Sequence, residues 1–96
     1  MQFLILTRRR TDAFAPDTWT SELLERESQR VRELYAAGVI RSIWRRGDMP
    51  GAALLLEGST EDEVREAISS LPLATLGMLE IVALTPLEPY QGFGPR

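Results

Sequence analysis

A single carboxylate, Glu80, lies inside the apolar run from Met78 to Leu84. Burial disfavours the charged form of a carboxyl group and raises its pKa, and an acid that titrates nearer neutrality can accept and return protons at physiological pH. Glu80 is therefore the sequence's candidate general base. The competing interpretation is an ion pair with an arginine of the same chain or of a partner chain, in which Glu80 only fixes an interface.

Four further residues are candidates for substrate binding. Arg41 and Arg45 fall on one face of a predicted strand, where two guanidinium groups could hold a carboxylate. Trp44 could form one wall of a pocket for a flat ring, and Tyr35 could donate its hydroxyl group. Each also has a structural interpretation, because arginines of an edge strand reach water and aromatic side chains commonly pack in cores and interfaces.

The sequence contains no histidine and no cysteine. Imidazole bases, thiolate nucleophiles, disulfides and the usual zinc ligands are thereby excluded. Any proton transfer must use carboxylates, tyrosine, backbone groups or water. We expect no metal site at the acidic run Glu61–Glu63, since it lies where a helix N-terminus favours negative charge.

Length and composition indicate one globular domain, residues 1–96, with 44% hydrophobic residues. A net charge of −3 argues against a nucleic-acid partner. The first apolar run is too short for a signal sequence, and no run approaches the roughly 20 residues that cross a bilayer. We therefore expect a cytoplasmic protein with no membrane partner.

Hydrophobic periodicity predicts four strands, at residues 2–7, 39–46, 52–57 and 78–84. A first helix is expected to start at a cap formed by Asp17 or Thr18 and to run to residue 37, with Gly38 ending it. A second helix is expected after the capping box of Thr60 and Glu63. The residues from 87 to 96 form a tail rich in proline and glycine.

This βαββαβ order predicts an α+β, ferredoxin-like fold, with two helices on one face of a four-stranded antiparallel sheet. The 39–46 strand carries arginine on both faces, which favours a position at the sheet edge. The other three strands are apolar on both faces, so the face without helices would expose a large apolar patch. We therefore predict that a second copy packs sheet to sheet, which makes a homodimeric α+β barrel.

Several stretches resemble the muconolactone isomerase family: residues 38–47 (GVIRSIWRRG, especially Trp44-Arg45), Leu71-Pro72-Leu73, Leu79-Glu80-Ile81 and Thr85-Pro86-Leu87. The resemblance implies ferredoxin-like chains that form dimeric barrels and higher oligomers. It also implies a cofactor-free isomerase that moves a proton in an unsaturated lactone carboxylate. On this hypothesis Glu80 moves the proton, Arg41 and Arg45 hold the carboxylate, and Trp44 and Tyr35 line the site.

Two other functions stay open at this point. One is a cofactor-free monooxygenase or cyclase acting on polyketide-type substrates, for which we expect a long apolar pocket with aromatic walls, where an isomerase pocket would be small and cationic. The other is a non-catalytic dimeric binding module, which the absence of histidine favours.

Overall fold

The computed structural model describes residues 1–93, and within them it contains four strands and three α-helices. The strands are β1 (Gln2–Arg9), β2 (Ile40–Arg45), β3 (Ala52–Glu57) and β4 (Leu79–Leu87). The helices are α1 (Ser21–Ala36), α2 (Glu61–Ser69) and α3 (Pro72–Thr75), and a 3-10 turn at Pro16–Thr18 precedes α1. The strands form one antiparallel sheet in the order β2-β3-β1-β4. The predicted α+β, ferredoxin-like arrangement is confirmed, as is the edge position of β2.

The core lies between this sheet and the helices. Side chains alternate between the two faces of a strand, and Phe3 and Ile5 of β1 pair with Leu56 and Leu54 of β3 on the covered face. All four are at most 2% exposed. Helix α2 adds its own apolar stripe, which completes the main cluster with residues of α1 and β2. The sheet is thus closed by helices on one side only.

Helix α1 starts later than the sequence predicted. Its cap is Thr20, whose hydroxyl oxygen accepts a hydrogen bond from Leu23 N–H at 3.1 Å, while Asp17 and Thr18 belong to the preceding 3-10 turn. The predicted cap of α2 is confirmed, since Thr60 accepts a hydrogen bond from Glu63 N–H at 3.1 Å. Leu71 and Pro72 do not simply end α2 but lead into the short helix α3, which the sequence reading did not predict.

The final strand is longer than predicted and contains an irregularity. Its pairing with β1 shifts between Leu6 and Thr7, so that Leu79, Ile81 and Leu84 all pack against the core. Simple alternation from Leu79 would place Ala83 on the same face as Ile81, and this expectation from the sequence is wrong because alternation fails at a bulge. Pro86 lies inside β4. Proline is tolerated there because β4 is an edge strand, with no further strand to which the missing N–H of proline would have to donate.

The face of the sheet without helices, which we call the open face, is apolar as predicted. The pairing places there side chains from all four strands, including those of Leu4, Trp44, Leu55 and Leu87. Leu4, Trp44 and Leu87 are exposed. Beyond β4, Tyr90 and Phe93 are also exposed, and the rest of the predicted tail, residues 94–96, lies outside the described residues. No helix within residues 1–93 is long and apolar enough to cross a bilayer.

The start of β3 depends on a glycine. Gly51 has a φ of 150°, and a Cβ at this position would overlap the carbonyl group of Thr7 on the neighbouring strand. We expect Gly51→Ala to lower the free energy of unfolding by about 1–3 kcal/mol, because it adds both a steric overlap and backbone strain. Urea denaturation checks this. Gly47→Ala is the matched control, since a Cβ there meets nothing within 4 Å, and an equal loss in both variants would contradict the argument.

Candidate active site

A cavity of about 470 Å³, which we call the chamber, opens between α1 and the covered face of the sheet. Apolar residues from four parts of the chain supply its walls: Val31, Ile43, Leu71 and Leu79. Its charged lining residues are Arg9, Glu27, Arg32 and Arg45. The chamber therefore combines an apolar body with three cations and one acid.

Glu27 is the acid of the chamber and is only 7% exposed. It lies on the buried stripe of α1 between Leu23 and Leu34. Its Oε1 accepts a hydrogen bond of 3.0 Å from the backbone N–H of Leu73. That N–H lies in the first turn of α3, where amide groups have no partner inside the helix, and the α3 cap residue Leu71 supplies no side-chain hydrogen bond. Glu27 thus joins α1 to the start of α3.

Burial raises the pKa of Glu27, and it outweighs the hydrogen bond from Leu73 and the charge of Arg9, which both act to lower that pKa. The second carboxyl oxygen, Oε2, has no hydrogen-bond partner within residues 1–93. Every fully buried side-chain oxygen in that range does have a partner, so Oε2 is not fully buried, and Glu27 lines the chamber. A carboxyl group with a raised pKa and one accessible oxygen can act as a general base and then as a general acid.

Two arginines of the chamber are uncommitted. Arg32 forms an ion pair with Glu25 at 2.8 Å. The side chains of Arg9 and Arg45, by contrast, make no hydrogen bond or ion pair with any residue in the described part of the chain. Both are available to an anion. Within residues 1–93 there is no group of three or more acidic residues that could hold a metal ion.

A second cavity of about 440 Å³, the vestibule, lies at the loop between β2 and β3, and it shares Arg9, Arg45 and Gly51 with the chamber. Arg46 lines the vestibule and forms hydrogen bonds with other parts of the chain. The Arg46 guanidinium donates to both carboxylate oxygens of Asp48, at 3.0 and 2.8 Å, and to the Thr7 carbonyl at 3.3 Å. The hydrogen bonds from Arg46 lower the pKa of Asp48, so these two charges compensate each other.

The predicted base, Glu80, lies on the opposite side of the sheet. Its side chain is 45% exposed, and its Oε1 accepts hydrogen bonds from Arg8 at 2.8 Å (Nε) and lies 2.7 Å from Arg8 Nη2. Arg8 also binds Asp12 at 3.1 Å. This is the ion pair that the structural interpretation of Glu80 requires, and Glu80 lines neither cavity. Proton transfer by Glu80 stays a prediction.

The four predicted binding residues are not brought together. Arg45 lines both cavities, and Trp44 borders the chamber while the pairing directs its side chain, 58% exposed, to the open face. Tyr35 is 64% exposed and lines neither cavity. The predicted face shared by Arg41 and Arg45 is interrupted, because the β2–β3 pairing shifts between Ile40 and Ser42.

Arg41 acts elsewhere. The pKa of Glu57 is lowered, mainly by the hydrogen bond from the amino group of Met1 and further by the charge of Arg41. Glu57 pairs with Gln2 on the open face. Arg41 therefore belongs to the surroundings of that face, whereas the cations of the chamber are Arg9 and Arg45.

Sequence periodicity missed Glu27 because the stripe that it indicates for α1 is only partly correct. That stripe contains Leu24, Ser28, Val31, Leu34 and Tyr35; the structure buries Leu34 and packs Val31 against the core, but the other buried residues of α1 are Leu23 and Glu27. The signal that could have found Glu27 is its spacing, four residues after Leu23 and seven before Leu34, which repeats on one helix face. An acid at such a position is unusual, since glutamate is rarely buried without a partner.

The raised pKa of Glu27 predicts how stability depends on pH. Because the folded-state value lies above the ordinary value of 4.5, protonated Glu27 favours the folded state. That contribution is complete below the ordinary value and is lost as the pH rises through the raised one. We expect the unfolding free energy of Glu27→Gln to fall less over this pH range than that of the wild type.

Urea denaturation at a series of pH values measures the difference. Glu66→Gln is the control, since Glu66 is an exposed glutamate of α2 and its removal should leave the wild-type slope unchanged. A wild-type slope in Glu27→Gln would show that Glu27 is not the group responsible.

Comparisons with known proteins agree on the fold. The chain is similar to 5-chloro-2-hydroxyhydroquinone dehydrochlorinase from Burkholderia phenoliruptrix AC1100, solved in complex with 2,5-dihydroxybenzoquinone. The TM-score is 0.60 and the identity 18%, with 92% of this chain and 94% of that chain covered. No curated protein sequence matches. The family profile of muconolactone delta-isomerase matches residues 1–91, which is nearly the whole chain, and the protein therefore belongs to the muconolactone delta-isomerase family.

Proposed function

We propose that this protein is a cofactor-free isomerase that shifts a proton in an unsaturated lactone or cyclic carboxylic acid, with Glu27 as the group that moves the proton. Membership of the family supports an enzyme that converts a small molecule. The observation that carries the proposal is the chamber itself, where a buried carboxyl group with one accessible oxygen lies in a cavity with two uncommitted arginines.

The proposed reaction uses these groups in two steps. Ionised Glu27 removes a proton from a carbon next to a carbonyl group through Oε2, and the electrons of the C–H bond move into the substrate to form an enolate. Arg9 lies near enough to act on the charge of Glu27, and it stabilises the negative oxygen. Protonated Glu27 then returns the proton to another carbon of the conjugated system, which relocates the double bond without any net gain or loss of atoms.

Binding of the substrate anion would assist the base. The charge of Arg9 lowers the pKa of Glu27 in the free protein. An anion held by Arg9 and Arg45 compensates that charge, so the pKa of Glu27 rises and the carboxylate becomes a stronger base when substrate is present. Arg45 lines both cavities and therefore serves in this proposal as the main ligand of the carboxylate.

The alternative that the structure also favours is a non-catalytic binding module. In that case Glu27 serves only to cap α3 through its hydrogen bond to Leu73. Glutamine can accept the same hydrogen bond but cannot take up a proton, so Glu27→Gln separates the two roles.

We expect Glu27→Gln to keep its fold and to lower the rate of deuterium incorporation into an unsaturated lactone carboxylate by about 10²–10⁴-fold, the usual contribution of a general base. Nuclear magnetic resonance in heavy water measures the exchange, and circular dichroism confirms the fold. Glu66→Gln should exchange at the wild-type rate. If Glu80→Gln lost the exchange while Glu27→Gln kept it, the sequence-based assignment to Glu80 would be correct and ours wrong.

We also propose that a second copy covers the open face, as a homodimer. The face is apolar on adjacent strands, and Leu4 is exposed near its centre on β1. Exposed apolar surface of this extent marks an interface in a soluble protein. In such a dimer the Arg8–Glu80 pair would lie at the seam between the two sheets and would fix their relative orientation.

Leu4→Lys should give a monomer, because it places a charge in the centre of the apolar contact. Analytical ultracentrifugation at micromolar concentration measures the mass. Leu76→Lys is the matched control, since Leu76 is also an exposed leucine but follows α3 and does not lie on a strand. A wild-type protein that sediments as a monomer at these concentrations would refute the dimer.

A further inference from the structure

The two cavities adjoin at a place where the start of β3 has small side chains and where positive charge is concentrated. Chamber and vestibule, of about 470 and 440 Å³, share Arg9, Arg45 and Gly51. Gly51 and the chamber residue Ala52 lack long side chains, and the backbone of Gly51 has no room for a larger one. The connection between the cavities is therefore built into the start of β3.

The charges differ between the two sides of this connection. Glu27 lines only the chamber, whereas Arg9 and Arg45 line both cavities. In the vestibule Arg46 is bound to Asp48, so its charge is compensated within the protein. The net attraction for an anion thus lies at the junction, and the repulsion from ionised Glu27 lies on the chamber side.

The chamber offers the opposite environment. Val31, Ile43, Leu71 and Leu79 supply apolar walls, which favour a hydrocarbon or ring system over water. Its volume alone falls within the range of cavities that bind drug-sized molecules, roughly 300–1,000 Å³. A compact single-ring acid with its carboxylate at the junction would leave much of this apolar space unfilled.

From these features we infer that the substrate is an elongated anion, with a carboxylate held between Arg9 and Arg45 and an apolar body of more than one ring in the chamber. The inference rests on the proposed function in one respect, that the reacting carbon belongs to the part of the molecule beside Glu27. It adds the size and polarity of the substrate, which the proton transfer itself leaves open, and it departs from the small, cationic pocket that the sequence led us to expect for an isomerase.

Three probes separate the two features of the substrate: benzoate, 2-naphthoate and the neutral 2-naphthamide. Isothermal titration of the full-length protein should show that 2-naphthoate binds at least about tenfold more tightly than benzoate, because more apolar surface enters the chamber. It should also bind about tenfold more tightly than 2-naphthamide, because only the acid carries the charge.

Arg45→Gln should abolish the advantage of 2-naphthoate over 2-naphthamide and leave the affinity for 2-naphthamide unchanged. Arg65→Gln is the matched control, because Arg65 lies on α2, pairs with Glu61 at 3.2 Å and lines neither cavity; it should keep the wild-type pattern. Equal affinities for benzoate and 2-naphthoate, equal affinities for the acid and the amide, or no binding of 2-naphthoate would each overturn the inference.

Binding and proton exchange are measured separately, so the two proposals can fail separately. Glu27→Gln should bind 2-naphthoate at least as tightly as the wild type, because it removes a negative charge from the chamber. If this affinity pattern holds while Glu27→Gln still exchanges protons normally, the proposed function is wrong and the inferred substrate class stands. If exchange depends on Glu27 but the probes bind without the expected preferences, the substrate class is wrong and the proton transfer stands.

Discussion

The hydrogen bond between Glu27 and the backbone of Leu73 is the contact on which the candidate site depends. It ties the buried stripe of α1 to the first turn of α3 at 3.0 Å, and the chamber lies beside this junction. A carboxyl group that is removed from water to make such a contact loses hydration, and this cost raises its pKa. The contact therefore joins α1 to α3 beside the cavity, while burial and not the hydrogen bond raises the pKa of the acid.

Glu27 and Glu80 show how environment separates two glutamates in one small protein. Glu80 is half exposed and bound to Arg8 on the open face. Glu27 is buried on the covered face, and the arginine nearest to it acts at longer range, without forming an ion pair within the described residues. The sheet thus separates an exposed, ion-paired glutamate from a buried glutamate that lines the cavity on the side of the helices.

The absence of histidine gives these carboxylates their importance. With neither imidazole nor thiol in the chain, a carboxyl group whose pKa is raised by burial is one of the few groups that can act as a base near neutrality. Arginine is the matching partner, because it remains charged in an apolar cavity and presents several donors to a carboxylate. The chamber contains this pairing in Glu27, Arg9 and Arg45.

The sequence by itself determined the architecture, because hydrophobic periodicity and capping are local properties. Short apolar runs marked three of the strands, Thr60 and Glu63 marked the start of α2, and arginines on both faces marked β2 as an edge. The tertiary structure alone decided which carboxylate faces the cavity. The cap of α1 at Thr20 sets which residues of that helix are buried. The bulge in β2 separates Arg41 from Arg45, and the bulge in β4 separates Ala83 from Ile81. Helix α3 supplies the backbone N–H from which Glu27 accepts a hydrogen bond. These features arise where distant segments meet, and no local pattern encodes such a meeting.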